Sequence, residues 1–280
     1  MRGIVVLAAL AAATPAAAQS VREYSAVRQQ QGEPTLPVQV DYVAGALTLA
    51  SAPPGTLYRF VLTYDEDRFA PLAETLRDGT LRLGTTALGR GGVRVASARA
   101  TPQAATIALS PTADVDLAVR LDAADATLDL GGLRLSRLSL SAGTSRTAIM
   151  VGRANAIRCT DATLEAGAGE LRAIGLGNAR CDRVTLHGGA GRVTLDFSGP
   201  WTGRMTVTAQ MKVGELVLRF PRKVGVRLAM DTFLATFAPT GLASTDGGKT
   251  WTSPGLAQAA GRLEVTIESS IGGVRVEWID

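Results

Sequence analysis

Residues 159–195 read CTDATLEAGAGELRAIGLGNARCDRVTLHGGAGRVTL, and this stretch contains one pattern twice. Leu164 opens LEAGAGELRA and Leu186 opens LHGGAGRVTL: an apolar residue, a run of small residues, then a second apolar residue seven positions on. Further out, Val40 (VDYVAGALTL), Leu121 (LDAADATLDL) and Ile267 (IESSIGGVRV) open copies of the same kind, and looser copies begin at Leu140, Val207 and Leu228. From Leu140 the openings advance by 24, 22, 21 and 21 residues. A sustained period of this size implies a stacked repeat architecture. Within the copies apolar residues alternate with polar ones, which is the period of a strand. Glu and Lys, which favour helices, are sparse, so helix is expected only in short pieces at Arg68–Leu76 and Pro254–Ala259.

One coil of a parallel β-helix suits this content, with each short strand pairing with its counterpart in the next coil. Gly, Ala, Ser and Asn between the strands suit tight corners, where glycine reaches positive φ without strain. The expected fold is therefore all-β, a single-stranded parallel β-helix of about 21–24 residues per coil. A β-sandwich of hairpins is the competing arrangement. A leucine-rich repeat would need an Asn or Cys landmark and a helical return, and neither is visible.

Cys159 and Cys181 each lie five residues ahead of an opening leucine, so they hold the same position in successive copies. Adjacent coils stack about 4.8 Å apart, and a disulfide asks for Cα atoms roughly 4.4–6.8 Å apart. A Cys159–Cys181 bridge is expected in an oxidising compartment, against the alternative of two buried free thiols. The pair does not form a C-x-x-C motif.

The compartment is suggested by residues 1–18, MRGIVVLAALAAATPAAA: one positive charge, an apolar run from Ile4 to Ala13, and Ala16 and Ala18 before Gln19. That is the pattern of a secretory signal peptide. Its apolar run is shorter than the roughly 20 residues a membrane span needs. Residues 19–37, polar and carrying Gln29-Gln-Gln31 and two prolines, are expected to be a flexible leader. Residues 38–280 then form one β-helical domain. The arginines are scattered rather than clustered, which argues against a nucleic-acid surface. No second long apolar run occurs, so no transmembrane segment is expected in the mature chain.

Several motifs invite a chemical reading. Ser244-Thr-Asp-Gly-Gly-Lys-Thr-Trp251 fits S-x-D-x-G-x-x-W, the Asp-box pattern of propeller glycosidases, but occurs once. Asp246 is expected to accept bonds from its own loop amides, with Gly247 and Gly248 giving the corner of a hairpin. Ser244, Asp246, Gly248 and Trp251 are thus a structural turn. His187 is the sole histidine and has no nucleophile elbow or second base near it in sequence. A zinc site would need more His or Cys ligands than the chain holds. The clusters Gly167-Ala-Gly169 and Gly188-Gly-Ala-Gly191 lack the helix that a phosphate cradle requires, and they recur with the coil period. Asp114, Asp116, Asp122, Asp125 and Asp129 alternate with apolar residues and so belong on the solvent side of strands. Asp65-Glu66-Asp67 lacks the ligand spacing of an EF-hand. No catalytic residue, cofactor or metal is assigned. The second functional class that stays open is a polysaccharide lyase or hydrolase on a β-helix, with acidic residues gathered on one face.

VAGALTL followed by LYRFVLTYDEDRFAPLAETLRDGTLRLG resembles the amino-terminal signature of bacterial toast-rack proteins. ADVDLAVRLDAADATLDLGGLRLSRLSLSAG, EAGAGEL and HGGAGRVTLDF are similar to their repeated coils. FPRKVGVRLAM, FLATF and GGKTWTSPGLAQAAGRLEVTIESSIGGVRVEW resemble the carboxy-terminal β-helix of LiaF-type, cell-wall-active-antibiotics response proteins. The resemblance implies a non-enzymatic, adhesin-like module of the cell envelope, periplasmic or on the cell surface, with relatives in envelope-stress signalling or adhesion. Its implied partners are envelope proteins or glycans. Stacked coils also end in open strand edges, so either a capped monomer or self-association through the β-helix ends is expected. LiaF-type proteins carry amino-terminal membrane helices that have no counterpart in this sequence, so direct control of a membrane kinase is not implied.

Overall fold

The computed structural model describes residues 20–76, 78–88 and 103–280. The signal-peptide segment 1–18 lies outside them. The stretch quoted above forms two strands, β9 (Cys159–Ile174) and β10 (Cys181–Asp196), which pair in parallel with Leu164 opposite Leu186 and Cys159 opposite Cys181. The same parallel pairing extends in one direction to β8 (Arg134–Met150), β7 (Asp114–Asp129) and β2 (Thr35–Ser51). In the other direction it extends to β11 (Gly203–Pro221), β15 (Gly261–Ile279) and β12 (Gly225–Ala238). The result is a β-solenoid, a continuous sheet whose strands stack as coils.

Each of these strands turns a corner. In β10 the inward residues are Val184 and Leu186, then Val193 and Leu195; in β11 they are Val207, Ala209 and Met211, then Leu216, Leu218 and Phe220. The inward set shifts between even and odd numbers midway, so both arms of a bent strand face one core. The bend is built on glycine. Gly169, Gly191, Gly214 and Gly272 stack above one another with φ of 128–134°, a region open essentially to glycine alone. A Cβ on Gly191 would lie 2.0 Å from the Gly169 carbonyl oxygen, and one on Gly214 1.9 Å from that of Gly191. Short connections close the coils. One holds α1 (Leu176–Ala179), a four-residue helix that sequence periodicity did not signal and that ends on Arg180 at φ 56°.

Coil spacing follows the expected period, with three local differences. Val207 sits opposite Val184 rather than Leu186, Leu121 opposite Ala142 rather than Leu140, and Leu228 opposite Val265 rather than Ile267. Each slip is by two residues, which leaves every side chain on its own face. The copy at Leu228 does not stack on Val207 directly, because β15 lies between them with Val265 touching both.

The ends depart further from expectation. Of the expected leader 19–37, residues 20–37 do not run free: β1 (Val21–Gln29) runs antiparallel along β3 (Thr56–Asp65), with Tyr24 against Phe60, and Pro37 lies inside β2. β1 is exposed on both faces for most of its length, so it lacks the apolar alternation that would mark a strand. β3 pairs antiparallel with β6 (Ala104–Leu109), which joins the second arm of β2 in parallel. Arg68–Leu76 is not helical but contains β4 (Phe69–Thr75), antiparallel to β5 (Leu81–Ala87), which in turn pairs with the first arm of β2. Among the described residues β4 has no second neighbour, and an edge strand is where a proline such as Pro71 is tolerated. Pro254–Ala259 makes a single turn, with the amides of Gln258 and Ala259 both donating to the Gly255 carbonyl, and goes no further. At the other end β14 (Thr250–Thr252) pairs with β12 and with β13 (Ala243–Ser244).

Candidate functional site

On the outer face, at the end of the first arm, one register position carries a polar residue in coil after coil: Asp41, Arg120, Ser141, Glu165, His187, Gln210, Glu268 and Asp231. Three rungs are joined. His187 Nδ1 and Gln210 Oε1 are 2.9 Å apart, and Gln210 Nε2 donates to Glu268 Oε2 at 2.8 Å. Beside the ladder the corner residues are small: Gly143, Gly167 and Gly189 leave the backbone bare. A Cβ at Gly167 would lie 2.7 Å from the Gly143 carbonyl oxygen, and one at Gly189 2.2 Å from that of Gly167. Polar ladder and glycine floor together form a groove of about 580 Å³ across β7 to β11, flanked by Arg120 and Asp122 at one end and Lys212 at the other. The groove offers exposed side-chain donors and acceptors and both signs of charge, a surface suited to an extended polar ligand.

The acids that line it lie in solvent: Asp122 and Glu165 are exposed. A glycoside hydrolase needs one carboxyl kept protonated near neutral pH, which burial provides, and neither acid has that setting. His187 is exposed beside Gln210, a neutral amide that orients the ring without acting as an acid or base.

The other residues singled out in sequence fall elsewhere. Cys159 and Cys181 form a disulfide across β9 and β10 with Cα atoms 4.1 Å apart. Ser244, Asp246, Gly248 and Trp251 belong to the β13–β14 hairpin and none of them lines the groove. There Asp246 Oδ1 accepts from the amides of Lys249 and Thr250, and Ser244 Oγ accepts from the Gly248 amide. The Thr250 amide is the main reason that the Asp246 carboxyl is held below the usual aspartate range. The Trp251 ring packs edge-on against Phe237, 5.4 Å between centroids. Of the aspartate run, Asp114 pairs with Arg134 and Asp116 with Arg137, while Asp125 accepts from the Arg146 amide and Asp129 from the Gly131 amide. Asp122 alone reaches the groove. Glu66 pairs with Arg22, and Asp65 accepts from the Asp67 amide. Among the described residues no cluster of His, Cys, Asp and Glu has the arrangement of a metal site.

Gln210, Ser141 and Glu268 were not singled out in sequence, although a signal exists. Asp41, Ser141, Glu165, His187 and Glu268 each follow the residue that opens a copy. A second outer ladder escaped in the same way. Arg146, Glu170, Arg192 and Glu215 succeed one another across β8 to β11, with Glu215 accepting from both Arg192 and Arg275.

With this geometry in place the comparisons with known proteins can be read. The N-terminal domain of toast_rack, DUF2154, matches residues 17–174, more than half of the sequence. The chain belongs to the toast-rack family. The toast-rack match ends with β9, so it takes in the first half of the groove and one of the two bridged cysteines. No curated protein matches the sequence. Among solved structures, a candidate cell adhesion protein from Clostridium sporogenes is 14% identical, with a TM-score of 0.48 over 92% of this chain and 100% of its own. A candidate adhesin from Bacteroides fragilis is 12% identical, with a TM-score of 0.33 over 91% of this chain and 97% of its own. Among the described residues no helix is long and apolar enough to cross a membrane.

Proposed function

We propose that this toast-rack chain is an exported, non-catalytic binding module of the bacterial envelope, which holds an elongated polar ligand, a glycan strand, along the outer groove. The observation that carries the reading is the polar ladder Arg120, Ser141, Glu165, His187 and Gln210 beside a floor of glycines, with His187 bonded to Gln210. Its rungs recur at the spacing of stacked strands, about 4.8 Å, so a polymer can repeat the same contacts from coil to coil. Solvated acids support binding rather than glycan cleavage. Export is supported by the Cys159–Cys181 bridge, which belongs to oxidising compartments, and by the signal-peptide pattern of residues 1–18. We assign residues 20–280 to one domain, because the core residues form one cluster from Leu36 to Val276.

The test is binding of the protein to isolated envelope polysaccharide and to peptidoglycan fragments, followed by isothermal titration and by amide shifts. Perturbations confined to β7–β11, abolished in Gln210→Ala with Glu165→Ala, are expected. Perturbations elsewhere, or release of shortened glycan, would remove the proposal. Whether binding serves adhesion or a stress response is decided by cross-linking in intact cells with and without cell-wall stress. Capture of membrane signalling proteins assigns the stress role; capture of surface glycan assigns adhesion.

A further inference from the structure

A second cavity, of about 370 Å³, opens where the connections between β8 and β9, β9 and β10, and β10 and β11 meet. It shares no lining residue with the groove. Arg158, Arg180 and Arg204 line it, together with Asp182 and Trp201. The Trp201 wall is fixed in place: Nε1 donates to the Phe197 carbonyl at 2.8 Å, and the side chain seats against two glycines. A Cβ at Gly177 would lie 2.7 Å from Trp201 Nε1, and one at Gly261 2.6 Å from Trp201 Cβ. Arg180 is the only residue other than glycine with positive φ among the described residues, at 56°. That region is unfavourable for a residue with a side chain, and a residue that ends a helix in it is usually glycine. An arginine kept there points to work for its guanidinium. Nη1 donates to the Asn155 carbonyl at 3.0 Å, which anchors the head group and uses one of its five donors. The carboxylates nearby are engaged elsewhere. Arg158 Nε holds both oxygens of Asp182 at 2.8 and 2.9 Å, and Glu264 stands 3.6 Å from Arg204. Arg180 has no carboxylate partner among the described residues, so the cavity is electropositive.

We propose that this cavity binds the phosphate monoester of a sugar, with the phosphate on Arg158, Arg180 and Arg204 and the sugar ring against Trp201. One guanidinium fork saturates the two oxygens of a carboxylate. A phosphate monoester offers three acceptor oxygens and more negative charge near neutral pH, a group that a cluster of arginines can share. The cavity has the size of a small-molecule site, roomier than a bare phosphate requires, and Trp201 supplies an apolar wall for the ring. Nothing in this assignment depends on what the groove binds.

Isothermal titration with glucose 1-phosphate is expected to show saturable binding at one site, at least about tenfold tighter than inorganic phosphate or glucuronate. Glucose itself should not bind. Amide shifts should cluster at residues 177–182 and 201–205. Arg180→Gly should weaken binding at least about tenfold and keep the circular dichroism and thermal midpoint of the parent, since glycine is at ease in that backbone region. Arg222→Gln, which removes an exposed charge that does not line the cavity, should leave binding unchanged. A free sugar phosphate and the phosphorylated end of an envelope glycan present the same group. Envelope polysaccharide that displaces glucose 1-phosphate, and ceases to after phosphatase treatment, assigns the glycan; polysaccharide that never displaces it assigns the free ester. No binding, inorganic phosphate or glucuronate bound as tightly as the ester, or binding that survives Arg180→Gly would overturn the proposal. If that variant does not fold, the parent decides: an absence of shifts at residues 177–182 and 201–205 overturns it.

Discussion

An alanine at Gly191 or Gly214 would place its Cβ 2.0 or 1.9 Å from a neighbouring carbonyl oxygen, far inside van der Waals contact, in a backbone region closed to side chains. Backbone strain and overpacking each cost about 1–3 kcal/mol, so Gly191→Ala should lower stability by roughly 3–5 kcal/mol in urea unfolding. Gly247→Ala is the informative contrast. It too has positive φ but open space around it, and should cost only about 1–2 kcal/mol. Equal losses at the two sites would mean that the stacked glycines are not the hinge of the coil. At Asp246 the expected effect is one of pH. Its carboxyl is held low in the folded chain by the Thr250 amide first, so its contribution is present above the ordinary aspartate range and fades as pH falls through its own lowered value. The Lys249 and Thr250 amide resonances should titrate together, with a midpoint below that of a free aspartate, and Asp246→Asn should flatten the curve. The turn chemistry of STDGGKTW was legible because the aspartate, the glycines and the loop amides are all local. The partner of Trp251 was not, since Phe237 lies on β12, outside the turn.

Among elements, the disulfide closes a segment of 22 residues between β9 and β10. Loop entropy puts its worth at about 3 kcal/mol. Cys159→Ser with Cys181→Ser should lose that amount, reduction of the parent should match it, and reduction of the double variant should do nothing. A parent whose intact mass does not rise by two hydrogens on reduction would contradict the bridge. The pairing could be foreseen because both cysteines keep one distance from an opening leucine. β1 could not. Strands in the middle of the stack hide one face from water and print that alternation into the sequence. β1 buries almost nothing, earns its place through backbone bonds to β3, and leaves a composition like that of a linker. β4, an edge strand among the described residues that holds Pro71, misled for a related reason, because it shows no alternating face.

For the molecule as a whole, the solenoid was readable from its period because every coil solves the same packing problem with the same residue types. What periodicity cannot express is the order in which coils are stacked. β15 belongs between β11 and β12 in space but follows both in the chain. That arrangement gives the molecule a clock. While the chain is being made, β11 can settle on β10 as soon as it appears, but β12 arrives with no parallel neighbour to receive it. At about 5–20 residues per second, several seconds pass before β15 emerges to fill the gap. A chain truncated after residue 260 should therefore resist protease through β7 to β11 and be cut within β12. Restoring residues 261–280 should protect β12 and β15 together, in a single step.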